Sequence, residues 1–179
     1  CTVLLVQGAS AQNDNKAGTS AAQFLKLGVG ARAVGMGEAM VSLSQYPSAM
    51  YWNPSGLVGV RSISASVSHT RWFADITHQY FGFVLPAGDD HRFGINATIL
   101  NLGEMEVTTE QDPQGTGEFF KASDVAVGVS YAARLVDFFA FGVTVKYVVQ
   151  SIYNESASTV AVDLGTRLIT GYKGLTVGM

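Results

Sequence analysis

Apolar and polar side chains alternate along the chain from residue 62 onward, with a period of two residues. Successive side chains of a β-strand point to opposite faces of a sheet, so this period predicts strands rather than helices. About seven strands follow from the pattern, at residues 62–72, 77–85, 92–99, 124–133, 139–150, 160–168 and from Leu175 onward. The strand at 77–85 is the least clear, because it is apolar on both faces.

The two faces of these strands indicate a membrane barrel rather than a soluble sheet. One face carries Val, Ile and Phe, and the other carries mainly Ser, Gly, Ala and Thr. A soluble sheet shows water many Lys and Glu side chains, whereas a membrane barrel turns an apolar face to lipid. The few charges on the small-residue face are candidate polar residues of the lumen: Arg92, Lys146, Asp163 and Arg167. Asp163 and Arg167 lie four residues apart, which favours an ordinary charge pair or network over a selectivity feature.

Composition agrees with a membrane environment and argues against membrane helices. The chain is 47% hydrophobic but only 14% charged, whereas soluble domains carry about 25% charged residues. The longest uncharged run, residues 39–60, is broken by Pro47, Pro54 and several polar residues, and a membrane helix needs about 20 mainly apolar residues. A closed barrel is the remaining way to satisfy the backbone in lipid. The net charge of −3 gives no basis for nucleic-acid binding.

The connections between the predicted strands differ in length. Residues 88–90, 135–137 and 171–173 form short turns, residues 103–121 form a long polar loop, and residues 152–158 form an intermediate one. Outer-membrane barrels have short periplasmic turns and longer external loops. Barrels of this kind have at least about eight strands, so residues 62–179 are predicted to form the first half of a barrel truncated at its C-terminal side.

The first residues resemble the end of a secretion signal. An apolar stretch up to Val6 is followed by small residues with an A-x-A pattern ending at Ala11, as at a signal cleavage site. We therefore predict a signal-peptide remnant at 1–11, a polar lead-in at 12–19, and export to the bacterial outer membrane. The alternative for the apolar stretch is a short buried strand. Cys1 is the single cysteine, so an internal disulfide is excluded.

Residues 20–60 differ from the strands and form a glycine-rich, partly helical segment. Four glycines cluster early in it, and an Asn-Pro-Ser-Gly turn sequence follows, so the candidate structural residues are Gly28, Gly30, Gly35, Gly37, Asn53, Pro54 and Gly56. The four early glycines indicate tight turns or close packing. Asn53-Pro54 favours a turn, in which Gly56 is expected to permit an unusual backbone angle. Residues 28–33 also match G-x-G-x-x-A, but no acid lies between Glu38 and Asp75. The dinucleotide fingerprint requires such an acid, so no cofactor is predicted.

The stretch FLKLGVGARAVGMGEA, followed by SAMYWNPSGL, resembles the opening of the PorV/PorQ family of outer-membrane β-barrel proteins. The resemblance extends over roughly residues 20–179 and rests mainly on this stretch. It implies a FadL-like barrel of about fourteen strands, with residues 20–60 lying inside it as a plug. It also implies an association with the type IX secretion system.

Catalytic and metal-binding patterns are weak. His69, His78 and His91 form no spaced metal-binding motif, so no metal site is predicted. Ser68 and His78 could meet across neighbouring strands, as in an outer-membrane lipid hydrolase, but no third group that orients the histidine is evident. We predict that the protein is not an enzyme and has no catalytic residues.

Three functions remain open from the sequence. The leading hypothesis is a secretion or surface-attachment component that contacts outer-membrane lipid and binds secretion-system proteins or secreted cargo. The second is a FadL-like channel for hydrophobic small molecules, which predicts an apolar pocket between residues 20–60 and the lumen wall. The third is the lipid hydrolase.

Overall fold

The computed structural model describes residues 2–3, 22–43, 45–106, 116–117, 119–153 and 155–179. Most of them form one antiparallel sheet of eight strands, namely β1 (Thr2–Val3), β2 (Ser64–Arg71), β3 (Thr77–Ala87), β4 (His91–Glu106), β5 (Phe119–Val136), β6 (Phe139–Ile152), β7 (Glu155–Ile169) and β8 (Thr176–Gly178). The helical elements are short and precede β2, namely a first 3-10 helix (Gln23–Lys26), α1 (Ala31–Gly35), α2 (Ala49–Trp52) and a second 3-10 helix (Pro54–Gly59). No helix in the described part of the chain is long and apolar enough to cross a membrane.

Neighbouring strands in the sequence are neighbours in the sheet from β2 to β7. The sheet curls, and within the described residues β2 and β7 do not pair with each other, so the strands form part of a barrel wall. The prediction of an all-β, antiparallel and incomplete barrel is confirmed. We call the end with connections 72–76, 107–118 and 153–154 the loop end. The opposite end, with connections 88–90, 137–138 and 170–175, is the turn end.

The outer edge of β7 pairs with two short strands. β8 pairs with its turn-end residues, with Ile169 opposite Thr176, and β1 pairs further along, with Thr2 opposite Asp163. Thr2–Val3 is thus a short strand, as in the alternative interpretation of the first residues. Residues 4–21 lie outside the described residues, and the assignment of 1–11 as a signal-peptide remnant and of 12–19 as a lead-in stays a prediction.

Several strands are longer than the alternation predicts. The predicted loop at 103–121 is wrong at both ends, because β4 continues to Glu106 and β5 begins at Phe119. A bulge between Asn101 and Glu104, where Gly103 has a φ of +76°, shifts the register and breaks the alternation. Beyond the bulge, an exposed ion pair of 2.9 Å joins Glu104 to Lys121 on the opposite strand.

Burial along the strands follows the predicted two faces. On β5, Ala126, Ser130 and Ala132 are buried on the concave side of the sheet, whereas Val127 and Val129 on the convex side are 52% and 61% exposed. On β6, the polar residues Thr144 and Lys146 are buried while Val145 and Tyr147 are exposed. The wall therefore buries its small and polar face and exposes its apolar face, which is the reverse of a soluble sheet.

The core lies between the concave face and residues 22–60. One cluster joins Met50, Leu57 and Val58 to Val84, Ala132 and Ala140 of the wall. A second joins Phe24 to Leu100, Ala126 and Val148 nearer the loop end. Each fully buried Leu, Met or Phe side chain contributes about 1.5–3 kcal/mol. Most of the large apolar side chains of this core come from the N-terminal segment, and most small ones come from the wall.

Thiol reactivity distinguishes the two faces of β5. In full-length protein with Cys1 replaced by Ser, we expect N-ethylmaleimide to modify Val129→Cys rapidly and Ser130→Cys only after unfolding, because Ser130 is buried under the N-terminal segment. A one-residue change of register would reverse the two rates, so faster modification of Ser130→Cys would contradict the assignment of faces. Labelling measured by mass spectrometry, before and after heating in detergent, provides the test.

Candidate functional site: the docking surface of the N-terminal segment

An Asn-Pro turn anchors the N-terminal segment, residues 20–60, which we call the plug segment. The side-chain oxygen of Asn53 accepts hydrogen bonds from Ser55 N at 3.1 Å and Ser55 Oγ at 2.7 Å, which caps the second 3-10 helix. Pro54 at the first helical position has no N–H to leave unpaired. The side-chain nitrogen of Asn53 donates to Val41 O at 2.9 Å and to Thr166 O of β7 at 3.0 Å. This side chain therefore shapes the turn and also ties it to the wall.

Two glycines of the wall make room for this turn. Gly142 of β6 and Gly165 of β7 lie directly opposite each other in the sheet. A Cβ at Gly142 would overlap Ser55 N and Pro54 C, and one at Gly165 would overlap the Asn53 side-chain oxygen and lie 2.9 Å from Pro54 Cδ. We call this pair the glycine seat. The space is filled by backbone at Gly142, and at Gly165 by the rigid Pro54 ring and the hydrogen-bonded Asn53 side chain. A larger residue at either position must therefore displace the turn.

The side chain of Met50 uses a second recess formed by glycines. Met50 is fully buried, and a Cβ at Gly94 of β4 would overlap its sulfur. A Cβ at Gly82 of β3 would lie 3.0 Å from the Met50 methyl group. An unbranched, flexible Met side chain suits such an irregular recess. The plug segment is thus held against both halves of the wall, at β3–β4 by Met50 and at β6–β7 by Asn53.

A buried ion pair lies beside the turn. Lys146 Nζ is 2.5 Å from Asp163 Oδ2, with side chains only 7% and 13% exposed. The ring of Tyr51 covers the ammonium group, 5.4 Å from its centroid, and cation–π attraction stabilises a cation shielded from water. The Tyr51 hydroxyl shares its one hydrogen between two carbonyl acceptors, Leu25 O at 2.8 Å and Leu27 O at 2.5 Å. Burial raises the pKa of the Tyr51 phenol, and Glu38 and Asp163 act in the same direction.

The other candidate lumen charges do not join this pair. Arg92 is buried and donates from Nε to Val60 O at 2.5 Å, so it holds the end of the plug segment. Its Nη1 donates to Gly88 O and His91 O of the adjacent turn. Arg167 is half-buried at the turn end and does not pair with Asp163, whose partner is Lys146. The direct Asp163–Arg167 pair considered from the sequence is therefore not formed.

The candidate glycines of the plug segment have different roles. Gly30 precedes α1 with a φ of +88°, and Gly37 follows it with a φ of +62°, a region that favours glycine. A Cβ at Gly28 would overlap the Glu38 carboxylate, whereas Gly35 has open space around it. Gly56 was expected to allow an unusual backbone angle, and that expectation is wrong. It is buried within the second 3-10 helix and has no positive φ.

The proposed hydrolase pair is not assembled. The register places Tyr80 opposite Ser68 and Thr70 opposite His78, so the two side chains are offset diagonally. His78 is buried with its Nε2 lacking a hydrogen-bond partner, and its ring stacks on Trp72 with centroids 6.0 Å apart. No group of three or more His, Cys, Asp or Glu side chains within the described ranges could hold a metal ion.

A comparison with protein families identifies the chain. The family model for the type IX secretion system protein PorV matches residues 10–173, which include the whole plug segment and strands β2 to β7. The chain belongs to this family. Membership confirms the resemblance found in the sequence and associates the chain with type IX secretion and the outer membrane. None of the curated proteins compared with the chain matches it.

Sequence reasoning found the Asn-Pro turn but missed what receives it. The glycines at 94, 142 and 165 each stand on the small-residue face of a predicted strand, and neighbouring strands with glycine on the same face are a signal for close approach of another backbone. Met50 and Tyr51 carried no comparable signal, because their role depends on which strands lie above and below them.

Replacing a glycine of the glycine seat with alanine tests whether the seat positions the plug segment. We expect Gly142→Ala to lower the free energy of unfolding by about 1–3 kcal/mol, and Gly165→Ala to do the same, because overpacked side chains force the backbone to shift. Urea unfolding followed by Trp fluorescence measures the change. Gly35→Ala is the matched control, since open space surrounds Gly35, and it should be neutral or slightly stabilising. Equal effects of Gly142→Ala and Gly35→Ala would contradict the seat.

The buried ion pair predicts strong coupling between its members. Lys146→Met leaves the Asp163 carboxylate buried and unpaired, and should destabilise the protein by about 3–5 kcal/mol. The double variant Lys146→Met with Asp163→Leu should recover most of that loss, because neither charge remains. The free energies of unfolding in urea of the wild type, both single variants and the double variant form a double-mutant cycle that measures this coupling. Additive losses in the double variant would mean that the two groups do not interact.

Proposed function

We propose that this chain is part of an outer-membrane barrel that serves type IX secretion by binding protein partners or cargo, without catalysing a reaction. The observation that carries the proposal is that the wall exposes apolar side chains and buries polar ones. The exposed residues are Phe93, Ile95, Val129 and Leu164, and the buried ones are Arg92, Asn96, Thr144 and Lys146. Contact with lipid makes an exposed apolar band favourable, whereas water makes it costly. Membership in the PorV family supplies the link to type IX secretion.

The two ends of the wall support an orientation in the membrane. The longest connection, 107–118, is at the loop end, whereas the connections of the turn end, 88–90, 137–138 and 170–175, have at most six residues. Outer-membrane barrels place longer loops outside the cell and short turns in the periplasm. We therefore assign the loop end to the cell exterior. The β2–β3 connection at that end exposes Trp72 and, at 83%, Phe73. Exposed aromatic side chains of this kind are common anchors for protein partners.

The plug segment supports a binding role rather than an open conduit. Its side chains pack against the concave face in two apolar clusters and cover the buried Lys146–Asp163 pair of the wall. Anchors at Asn53 and Met50 reach opposite parts of the wall. Such a filled wall is a rigid support for surfaces at its ends, and a rigid scaffold suits recognition by loops.

One cavity favours the second function, a channel or site for hydrophobic small molecules. A space of about 380 Å³ lies between the plug segment and β2 and is lined mainly by apolar atoms, including those of Val29, Ala33 and Met40. Its size is within the range of small-molecule sites. This alternative predicts that a lipid or other apolar molecule is bound there and that its uptake depends on the protein.

Secretion in a bacterium with a type IX system separates the two functions. Deleting the gene should leave type IX cargo inside the cell, and the wild-type gene should restore its appearance at the surface or in the medium, measured by immunoblotting of cell fractions. Ser68→Ala and His78→Ala should restore secretion fully, because the proposed role needs no nucleophile or base. Normal secretion in the deletion strain, together with loss of uptake of a long-chain fatty acid, would favour the second function instead.

A further inference from the structure

Three arginines line one cavity at the turn end. The cavity has a volume of about 670 Å³, and its charged lining consists of Arg61, Arg134 and Arg167. Arg61 precedes β2, Arg134 lies near the end of β5, and Arg167 lies near the end of β7. Polar groups of Gln45, Ser62 and Ser64 complete the lining, and no Asp or Glu belongs to it. Three positive charges therefore share one space without a protein carboxylate to balance them.

The arginines of this cavity differ from the other basic residues of the wall. Elsewhere, Arg71 pairs with Asp75 at 2.6 Å, Lys121 with Glu104, and Lys146 with Asp163. Over the described part of the chain, no ion pair or side-chain hydrogen bond involves the guanidinium of Arg61, Arg134 or Arg167. Arg167 Nε is buried and lacks a hydrogen-bond partner. A buried donor without a partner is unfavourable, and more so when the group is charged.

Arg134 and Arg167 also lie close to each other. Both line a second, much smaller cavity of about 30 Å³ on the neighbouring side, which Asp137 borders as well. Asp137 forms no ion pair within 4.0 Å of either arginine in the described residues. Like charges placed side by side repel each other unless an anion lies between them. An anion bound in the larger cavity would remove that repulsion and give Arg167 Nε an acceptor.

The number of guanidinium groups favours phosphate over a carboxylate. A guanidinium presents paired N–H donors that match two oxygens of an anion. One carboxylate has two oxygens, so the paired N–H donors of a single guanidinium satisfy it. A phosphate group has additional oxygens and up to two negative charges, so several arginines can bind it together. The volume of the cavity exceeds that of a bare phosphate ion and leaves room for the molecule that carries it.

We propose that Arg61, Arg134 and Arg167 form a binding site for a phosphate group at the turn end of the wall. The proposal is independent of the role in secretion. The group belongs either to a free phosphate compound or to a phospholipid headgroup, since the ends of the strands lie where headgroups meet a membrane barrel. The same guanidinium chemistry recognises both, and the two sources are separated by experiment.

The test uses full-length protein in a detergent without phosphate. Isothermal titration with inorganic phosphate at constant ionic strength should show binding to the wild type. Arg134→Gln and Arg167→Gln should each weaken it about tenfold or more, because each removes a charged hydrogen-bonding partner. Arg71→Gln is the matched control, since Arg71 lies at the loop end with its own partner Asp75. It should bind phosphate as the wild type does. Arg134→Lys keeps the charge but lacks the paired N–H donors, so its affinity for phosphate should lie between those of the wild type and Arg134→Gln.

A second arm distinguishes the sources of the phosphate group. The wild type is kept in micelles of a detergent with a sugar headgroup, to which either phosphatidic acid or the same total charge of oleate is added, and binding of inorganic phosphate is compared between the two. Weaker binding in the presence of phosphatidic acid assigns the site to a lipid headgroup, and unchanged binding assigns it to a free phosphate compound. The proposal fails if phosphate does not bind the wild type, if Arg134→Gln and Arg71→Gln bind it equally, or if acetate binds as tightly as phosphate. A heat-shifted gel band for every variant verifies that the barrel is folded.

Discussion

The Asn53–Pro54–Ser55 turn approaches the wall at Gly142 and Gly165 more closely than a Cβ atom at either position would permit. A wall that exposes its apolar face has few large apolar groups left on its concave face, so it cannot build a core alone. The plug segment supplies Met50, Leu57 and Phe24 for that purpose. Their burial depends on how near the segment lies to the strands, and the glycine seat sets that distance.

Polar contacts set the orientation of the plug segment against the wall. Asn53 reaches Thr166 O, Arg92 reaches Val60 O, and Tyr51 covers the Lys146–Asp163 pair. The first two are hydrogen bonds that join the plug segment to β7 and β4 and pair buried polar groups. The third is a ring contact with the ion pair of β6 and β7. Apolar packing is tolerant of small rotations, whereas these bonds are directional. Together they specify one orientation of the segment inside the wall.

The sequence predicted the wall well, because alternation reports directly which face each strand residue occupies. It located the candidate lumen charges Arg92 and Lys146 on the face that the structure buries. It failed at Gly103, where a bulge interrupts the alternation although the strands continue. It also could not pair Asp163 with Lys146 rather than Arg167, because that choice depends on the register between β6 and β7. Register arises from contacts distant in sequence, which a local pattern does not contain.

The bond from Asn53 to Thr166 joins residues 113 positions apart. Gly142 and Gly165 become opposite neighbours only when β6 and β7 have paired, so the site that receives the turn does not exist in a shorter chain or an unpaired wall. Closing so large a loop before its contacts form is entropically unfavourable. The segment that is synthesised first must therefore wait for the strands synthesised after it. Its apolar side chains stay uncovered until then, so the rate at which the wall assembles determines how long they are exposed.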